Sequence, residues 1–111
     1  MKKYQVKITP QASGQILEYA LYIQNELCNP QAAQKFLEDI RNAVNNLNQS
    51  PSRHPLTEEE PWHSEEIRMA VVRGYLIYFW VDEETDTVHV IAVIYEKRDQ
   101  AEQLSKIDMK D

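Results

Sequence analysis

The clearest alternation of apolar and polar positions lies in the last third of the chain, where residues 67–72, 75–81 and 88–95 form three short apolar runs separated by polar breaks. The middle run, Tyr75-Leu76-Ile77-Tyr78-Phe79-Trp80-Val81, is aromatic and β-branched without interruption. Such a run suits a central strand covered on both faces, because a half-exposed strand would intersperse polar side chains. Arg73-Gly74 supplies the turn before it, since Gly accepts positive φ at no steric cost, and Asp82-Glu83-Glu84-Thr85-Asp86 is a polar connection of hairpin length after it. Two successive antiparallel hairpins are predicted.

Upstream, Tyr4, Val6 and Ile8 alternate with Gln5 and Lys7, the period of a half-exposed first strand. Thr9-Pro10 ends it. Thr9 is a helix cap and Pro10 a first helical residue, where the missing N–H is harmless. Ile16, Ala20, Ile23 and Leu27, broadened by Leu17 and Leu21, form a helical stripe, so a first helix is predicted from Pro10 to about Leu27. Asn29-Pro30 repeats the capping device and starts a second helix, apolar at Ala33, Phe36, Leu37, Ile40, Val44 and Leu47 and polar at Lys35, Glu38, Asp39 and Arg41. The helices are joined almost without a loop and must fold back as an αα-hairpin. Asn48-Gln49-Ser50-Pro51 closes the second, residues 51–66 form an irregular connection with three prolines, and residues 99–104 suit a short C-terminal helix.

The order strand, helix, helix, strand, strand, strand predicts an α+β layer, an antiparallel sheet packed on one face by the helix pair. Trp80, Phe79 and Phe36 are read as core. With 111 residues and 42% apolar content, one domain spanning residues 1–111 is expected. The lone Cys28 excludes an intramolecular disulfide and is expected to be a buried helix-end thiol; with no Cys/His cluster at ligand spacing, no metal or other cofactor is expected. No apolar stretch approaches membrane-spanning length, and the first residues lack the apolar core of a signal peptide, so a cytoplasmic location without membrane association is expected.

Charge narrows the partners. A formal net charge of −6 opposes non-specific nucleic-acid binding, and Glu58, Glu59, Glu60, Glu65 and Glu66 nearly account for it. That acidic stretch is read as a solvated loop. The chain has no Gly-rich phosphate loop, no G-x-S-x-G elbow, no H-E-x-x-H and no paired Cys motif. His54, His63 and His89 lack partners at i+4, which argues against metal binding, although an unperturbed imidazole suits proton transfer near neutral pH. The remaining candidates are Arg68, Arg73, Tyr75, Tyr95, Lys97 and Arg98, which stand on or beside the ends of neighbouring strands, where side chains converge. A cationic pocket rimmed by aromatics suits a phosphate or an acidic peptide; the competing reading has Arg68 and Arg73 project into solvent or pair with the acidic loop.

At these residues a family resemblance enters. Ile67-Arg68-Met69, then Gly74 through Glu83, then residues 88–95 and Lys97-Arg98-Asp99 resemble the RelE/ParE superfamily of type II toxin–antitoxin toxins. Asn29-Pro30-Gln31-Ala32-Ala33-Gln34-Lys35-Phe36-Leu37 and Leu47-Asn48-Gln49-Ser50-Pro51 resemble the same family's second helix and its exit. The last strand is closer to the ParE branch, with Tyr95 in place of a His common there. The resemblance implies a plasmid-stabilisation toxin that acts by binding a target such as DNA gyrase and is neutralised by a cognate antitoxin. The RelE-like alternative is a ribosome-dependent mRNA endonuclease. It would take Arg98, Arg68 and Tyr95 as catalytic candidates, with Lys97 also on phosphate and Tyr75 or His89 also available for proton transfer, but its set looks incomplete. A third alternative is a family member that keeps the fold and has lost toxicity.

Overall fold

The computed structural model describes residues 3–97. Its elements are β1 (Gln5–Ile8), α1 (Pro10–Leu21), a π-helical turn (Tyr22–Glu26), α2 (Pro30–Asn46), a 3-10 turn (Pro51–Arg53), β2 (Arg68–Val72), β3 (Tyr75–Asp82) and β4 (Thr87–Tyr95). Arg98 and the expected C-terminal helix lie outside the described residues.

Both helix starts use the device read from the sequence. Thr9 Oγ1 accepts the Ala12 N–H at 3.2 Å and Asn29 Oδ1 accepts the Ala32 N–H at 3.0 Å, each satisfying a donor that the first turn leaves open. The first helix departs from expectation at its far end. Regular α bonding stops at Leu21, and the Leu27 N–H reaches back to the Tyr22 carbonyl, a widened π turn that carries the chain toward α2. Cys28 follows with φ +50° and is exposed, so the expected burial of its thiol does not occur. At the helix junction the backbone turns this side chain outward, where Sγ donates to the Asn25 carbonyl at 3.5 Å.

The four strands are ordered β1-β4-β3-β2. β2, β3 and β4 are antiparallel neighbours, as the two hairpins require, and Arg73 (φ +47°) and Gly74 (φ +86°) form the tight turn between the first pair. β1 runs parallel to β4, which corrects the expectation of a wholly antiparallel sheet. No tight turn joins these two strands, so nothing imposes the antiparallel sense that a hairpin imposes.

One irregularity in β4 decides which side chains meet. Tyr78 pairs with Ala92 and Phe79 with Val90, which leaves Ile91 as the extra residue of a β-bulge. Before the bulge Val88 and Val90 face the helices; after it Val93 does, while Ile91, Ala92 and Ile94 face the other way. The helix-side core joins Phe36, Ile40, Val44 and Leu47 to Ile77, Phe79, Val88, Val90 and Val93. On the opposite face Trp62 and Ile67, from the irregular connection, pack on Leu76, Tyr78, Ile91 and Ile94. The connection that reads as an acidic loop thus covers the second face with Trp62, while its five glutamates remain exposed. This explains why the central run carries no polar side chain.

Candidate functional site

The phase shift at Ile91 brings two of the sequence candidates together. Tyr75 and Tyr95 are direct cross-strand partners on β3 and β4, with ring centroids 5.2 Å apart. From α1, Tyr19 meets Tyr75 edge-on at 5.2 Å, and from α2, Phe36 lies 4.6 Å from the same ring. These spacings are those at which offset or T-shaped pairs attract beyond simple burial. The tyrosines form one wall of an open cleft of about 560 Å³, completed by Glu18, Tyr22 and Leu27. Burial, with Tyr95 and Tyr19 alongside, pushes the Tyr75 phenol above its usual range. It is therefore held protonated at neutral pH, able to donate a hydrogen bond but poorly suited to serve as a base.

The cationic candidates do not converge. Arg68 Nη1 donates to the carbonyls of Ser52 at 3.1 Å and His54 at 2.6 Å, tying β2 to the start of the irregular connection. At the other end of β2, Arg73 Nε pairs with Asp39 of α2 at 2.8 Å. The five-residue strand between them separates their Cα atoms by roughly 16 Å at about 3.3 Å per residue. One phosphate cannot be gripped by both. Neither arginine pairs with the acidic loop: Arg68 is structural, and Arg73 joins a network in which Asp39 also holds Lys35 at 3.2 Å. Lys97 is exposed just beyond β4. Among the histidines, His54 lies edge-on to Phe79 with centroids 5.7 Å apart, and burial, Arg53 and Arg68 all lower its pKa. His63 Nδ1 lies 2.8 Å from the Thr57 carbonyl, and His89 stacks on Trp80 at 4.4 Å. Among the described residues no group of His, Cys, Asp and Glu is arranged to hold a metal ion.

Residues 6–100 match the family model described as the ParE toxin of the type II toxin–antitoxin system parDE. The chain belongs to this family. Among solved structures, the ParE-family chain is similar to one from the chromosomal ParDE toxin–antitoxin system of P. aeruginosa, with TM-score 0.68 and 18% identity over 84% of this chain and 96% of that one. It is also similar to one from the toxin–antitoxin complex RelBE2 of Mycobacterium tuberculosis, with TM-score 0.60 and 17% identity over 84% of this chain and 98% of that one. No curated relative matches it in sequence. At such identities the likeness concerns the fold, which carries the β-α-α-β-β-β order expected of the RelE/ParE superfamily.

Sequence reading missed the contribution of α1 to the cleft of this ParE-family protein. Tyr19 and Tyr22 lie just off the apolar stripe of Ile16, Ala20 and Ile23, and their spacing of three residues was the available signal. Tyr22 and Leu27, which line the cleft, are large and exposed.

Proposed function

We propose that this chain is the toxin of a ParDE-type pair, a cytoplasmic protein that inhibits DNA gyrase by binding it and is neutralised by a cognate antitoxin. The match to the ParE toxin family over residues 6–100 carries the proposal. The site geometry supports binding over cleavage. RNA cleavage needs a group to activate the 2′-hydroxyl, another to protonate the leaving oxygen and a cation on the phosphate, close together. Here Arg68 and Arg73 are at opposite ends of β2, engaged with other groups, and the Tyr75 phenol is pushed away from the range of a neutral-pH base. What the cleft offers instead is an aromatic surface lined by Tyr75 and Tyr95 together with Glu18, with Arg73 two residues before Tyr75, which suits a protein surface with apolar anchors. That no helix among the described residues is long and apolar enough to cross a membrane accords with action on an internal target.

Induced expression tests the reading. Growth arrest with loss of supercoiling by purified gyrase in the presence of the purified chain is the expected result. Arrest with intact supercoiling and ribosome-dependent mRNA cleavage would transfer the protein to the endonuclease reading. Unimpaired growth and unimpaired gyrase would leave only a non-toxic family member.

A further inference from the structure

We infer that the tyrosine cleft between α1 and the adjoining ends of β3 and β4 is a cation box that takes an arginine side chain of the target protein, with the guanidinium against the tyrosine rings and on the Glu18 carboxylate; this rests on the function proposed above. Three of the rings are set in place by the fold. Tyr75 and Tyr95 pair across β3 and β4, and Tyr19 is tied to the sheet because its hydroxyl accepts the Tyr95 N–H at 3.1 Å. The ring planes of Tyr19 and Tyr75 are inclined by 65° and those of Tyr75 and Tyr95 by 44°, so the three make a concave corner and not a flat plate. The widened turn after α1 completes the cleft. Its Leu27 N–H bonds back to the Tyr22 carbonyl, which brings Leu27 round nearly over Tyr22, whereas continued α geometry would set it on a different face. Both side chains line the cleft and are more than half exposed, Tyr22 at 55% and Leu27 at 56%.

The one charge in this aromatic setting says what the cleft takes. Glu18 stands one turn before Tyr22 on the same side of α1, and among the described residues its carboxylate has no hydrogen-bonding or ionic partner. Among the described residues it is also the only charged side chain that lines the cleft, since Arg73 is engaged with Asp39 and Lys97 lies outside. A cation is attracted both by the negative face of a tyrosine ring and by the carboxylate, whereas a phosphate or a nucleotide would meet one negative charge and no positive one. The Tyr75 phenol, pushed upward by burial, adds no charge of its own at neutral pH. Arginine suits the cleft better than lysine, because its planar, weakly hydrated guanidinium stacks on aromatic faces and still presents a fork of N–H donors to a carboxylate. Its methylene stem is matched by Leu27. A cleft of about 560 Å³ has room for the whole side chain, and the net charge of −6 favours encounter with a basic protein surface.

The test combines small probes on the wild-type chain with substitutions of exposed residues. In NMR titrations N-acetyl-arginine amide should shift the ring signals of Tyr22, Tyr75 and Tyr95, and the neutral isostere N-acetyl-citrulline amide should not, a comparison that needs no variant to fold. Glu18→Gln and Tyr22→Leu should each weaken gyrase inhibition about fivefold at unchanged thermal stability. Glu38→Gln makes the same change in net charge on α2, outside the cleft, and should leave inhibition unaltered. Inhibition that both cleft variants leave unchanged, or the absence of any difference between the arginine and citrulline probes, overturns the inference. A shift of the same ring signals by uridine monophosphate and not by the arginine probe assigns the cleft to a nucleic acid, and overturns it too. A wild-type chain that fails to inhibit gyrase removes the proposed function and the target arginine with it; wild-type inhibition with unaffected cleft variants removes the inference alone.

Discussion

The hydroxyl of Tyr19, on α1, accepts a hydrogen bond from the backbone N–H of Tyr95, at the end of β4, at 3.1 Å. One turn earlier, Gln15 Oε1 accepts the Val93 N–H at 2.9 Å. β1 pairs with β4 only up to Val90, so the outward N–H groups beyond that point have no strand to meet. α1 supplies side chains in place of a strand and closes the edge that would otherwise be free to pair with another chain. The same contact fixes the Tyr19 ring against Tyr75, so edge protection and cleft construction depend on one side chain.

Tyr19→Phe keeps the ring and removes the acceptor. With the Tyr95 N–H left without its partner in a part-buried place, the chain should lose about 1 kcal/mol of stability in urea unfolding. The cleft should keep its shape, so growth arrest per molecule of folded protein should be little altered. A much larger arrest defect at unchanged stability would show that the hydroxyl itself contacts the target.

Arg68→Ala should behave as a stability variant. Its guanidinium ties β2 to the carbonyls of Ser52 and His54, and charge-assisted bonds of this kind contribute about 1.5–3 kcal/mol before allowance for their partial exposure. A loss of about 1–2 kcal/mol in equilibrium unfolding is expected, with the proposed inhibition of gyrase by the remaining folded protein intact. Unchanged stability together with lost inhibition would return Arg68 to the binding surface.

The contrast between Arg68 and Tyr75 shows what the sequence discloses and what it hides. Thr9-Pro10, Asn29-Pro30 and Arg73-Gly74 act through neighbours one to three residues away, so their roles are legible locally and the structure bears them out. The central strand is legible as well, because burial on both faces writes itself into an unbroken apolar run. The bulge at Ile91 is not. Residues 88–95 are apolar almost throughout, and nothing in such a run marks where the alternation changes phase, although that change decides that Tyr95 faces Tyr75. Trp62 is hidden for a different reason: in a stretch dominated by glutamates the single aromatic that reaches the core is outweighed by its surroundings. Of the candidate residues the fold brings Tyr75 and Tyr95 together and keeps Arg68 and Arg73 apart, and the wall that α1 adds to the cleft was unseen. Arg68 and Arg73 look interchangeable in sequence and differ only in what the fold puts beside them, two carbonyls in one case and Asp39 in the other.

His54 should make the fold sensitive to mild acid. Burial first, then Arg53 and Arg68, lower its pKa from 6.5, so the unfolded chain takes up this proton at a higher pH than the folded one. The contribution runs in one direction: stability is full above about pH 6.5, falls as the pH drops below it, and levels once the folded imidazole also protonates. Replacement by Gln, which does not titrate, should flatten the unfolding free energy just below about pH 6.5 relative to wild type. Identical slopes would mean that His54 is not held in its neutral form by the fold.

Trp62 gives the most direct test of the second core. It is 7% exposed and packs with Ile67, Leu76, Tyr78, Ile91 and Ile94 on the face of the sheet away from the helices, yet it belongs to a connection with no strand or helix of its own length. If the connection were only a solvated acidic loop, its substitution by Ala would be nearly silent. Because the indole covers the sheet, Trp62→Ala should instead cost about 3–5 kcal/mol, the range for emptying an aromatic site in a core. Neutralising Glu58 and Glu65 to Gln in the same connection should change stability by less than about 0.5 kcal/mol, as exposed positions do. Chemical unfolding of the variants side by side separates the two roles, and a silent Trp62→Ala would mean that the second face is held by other residues.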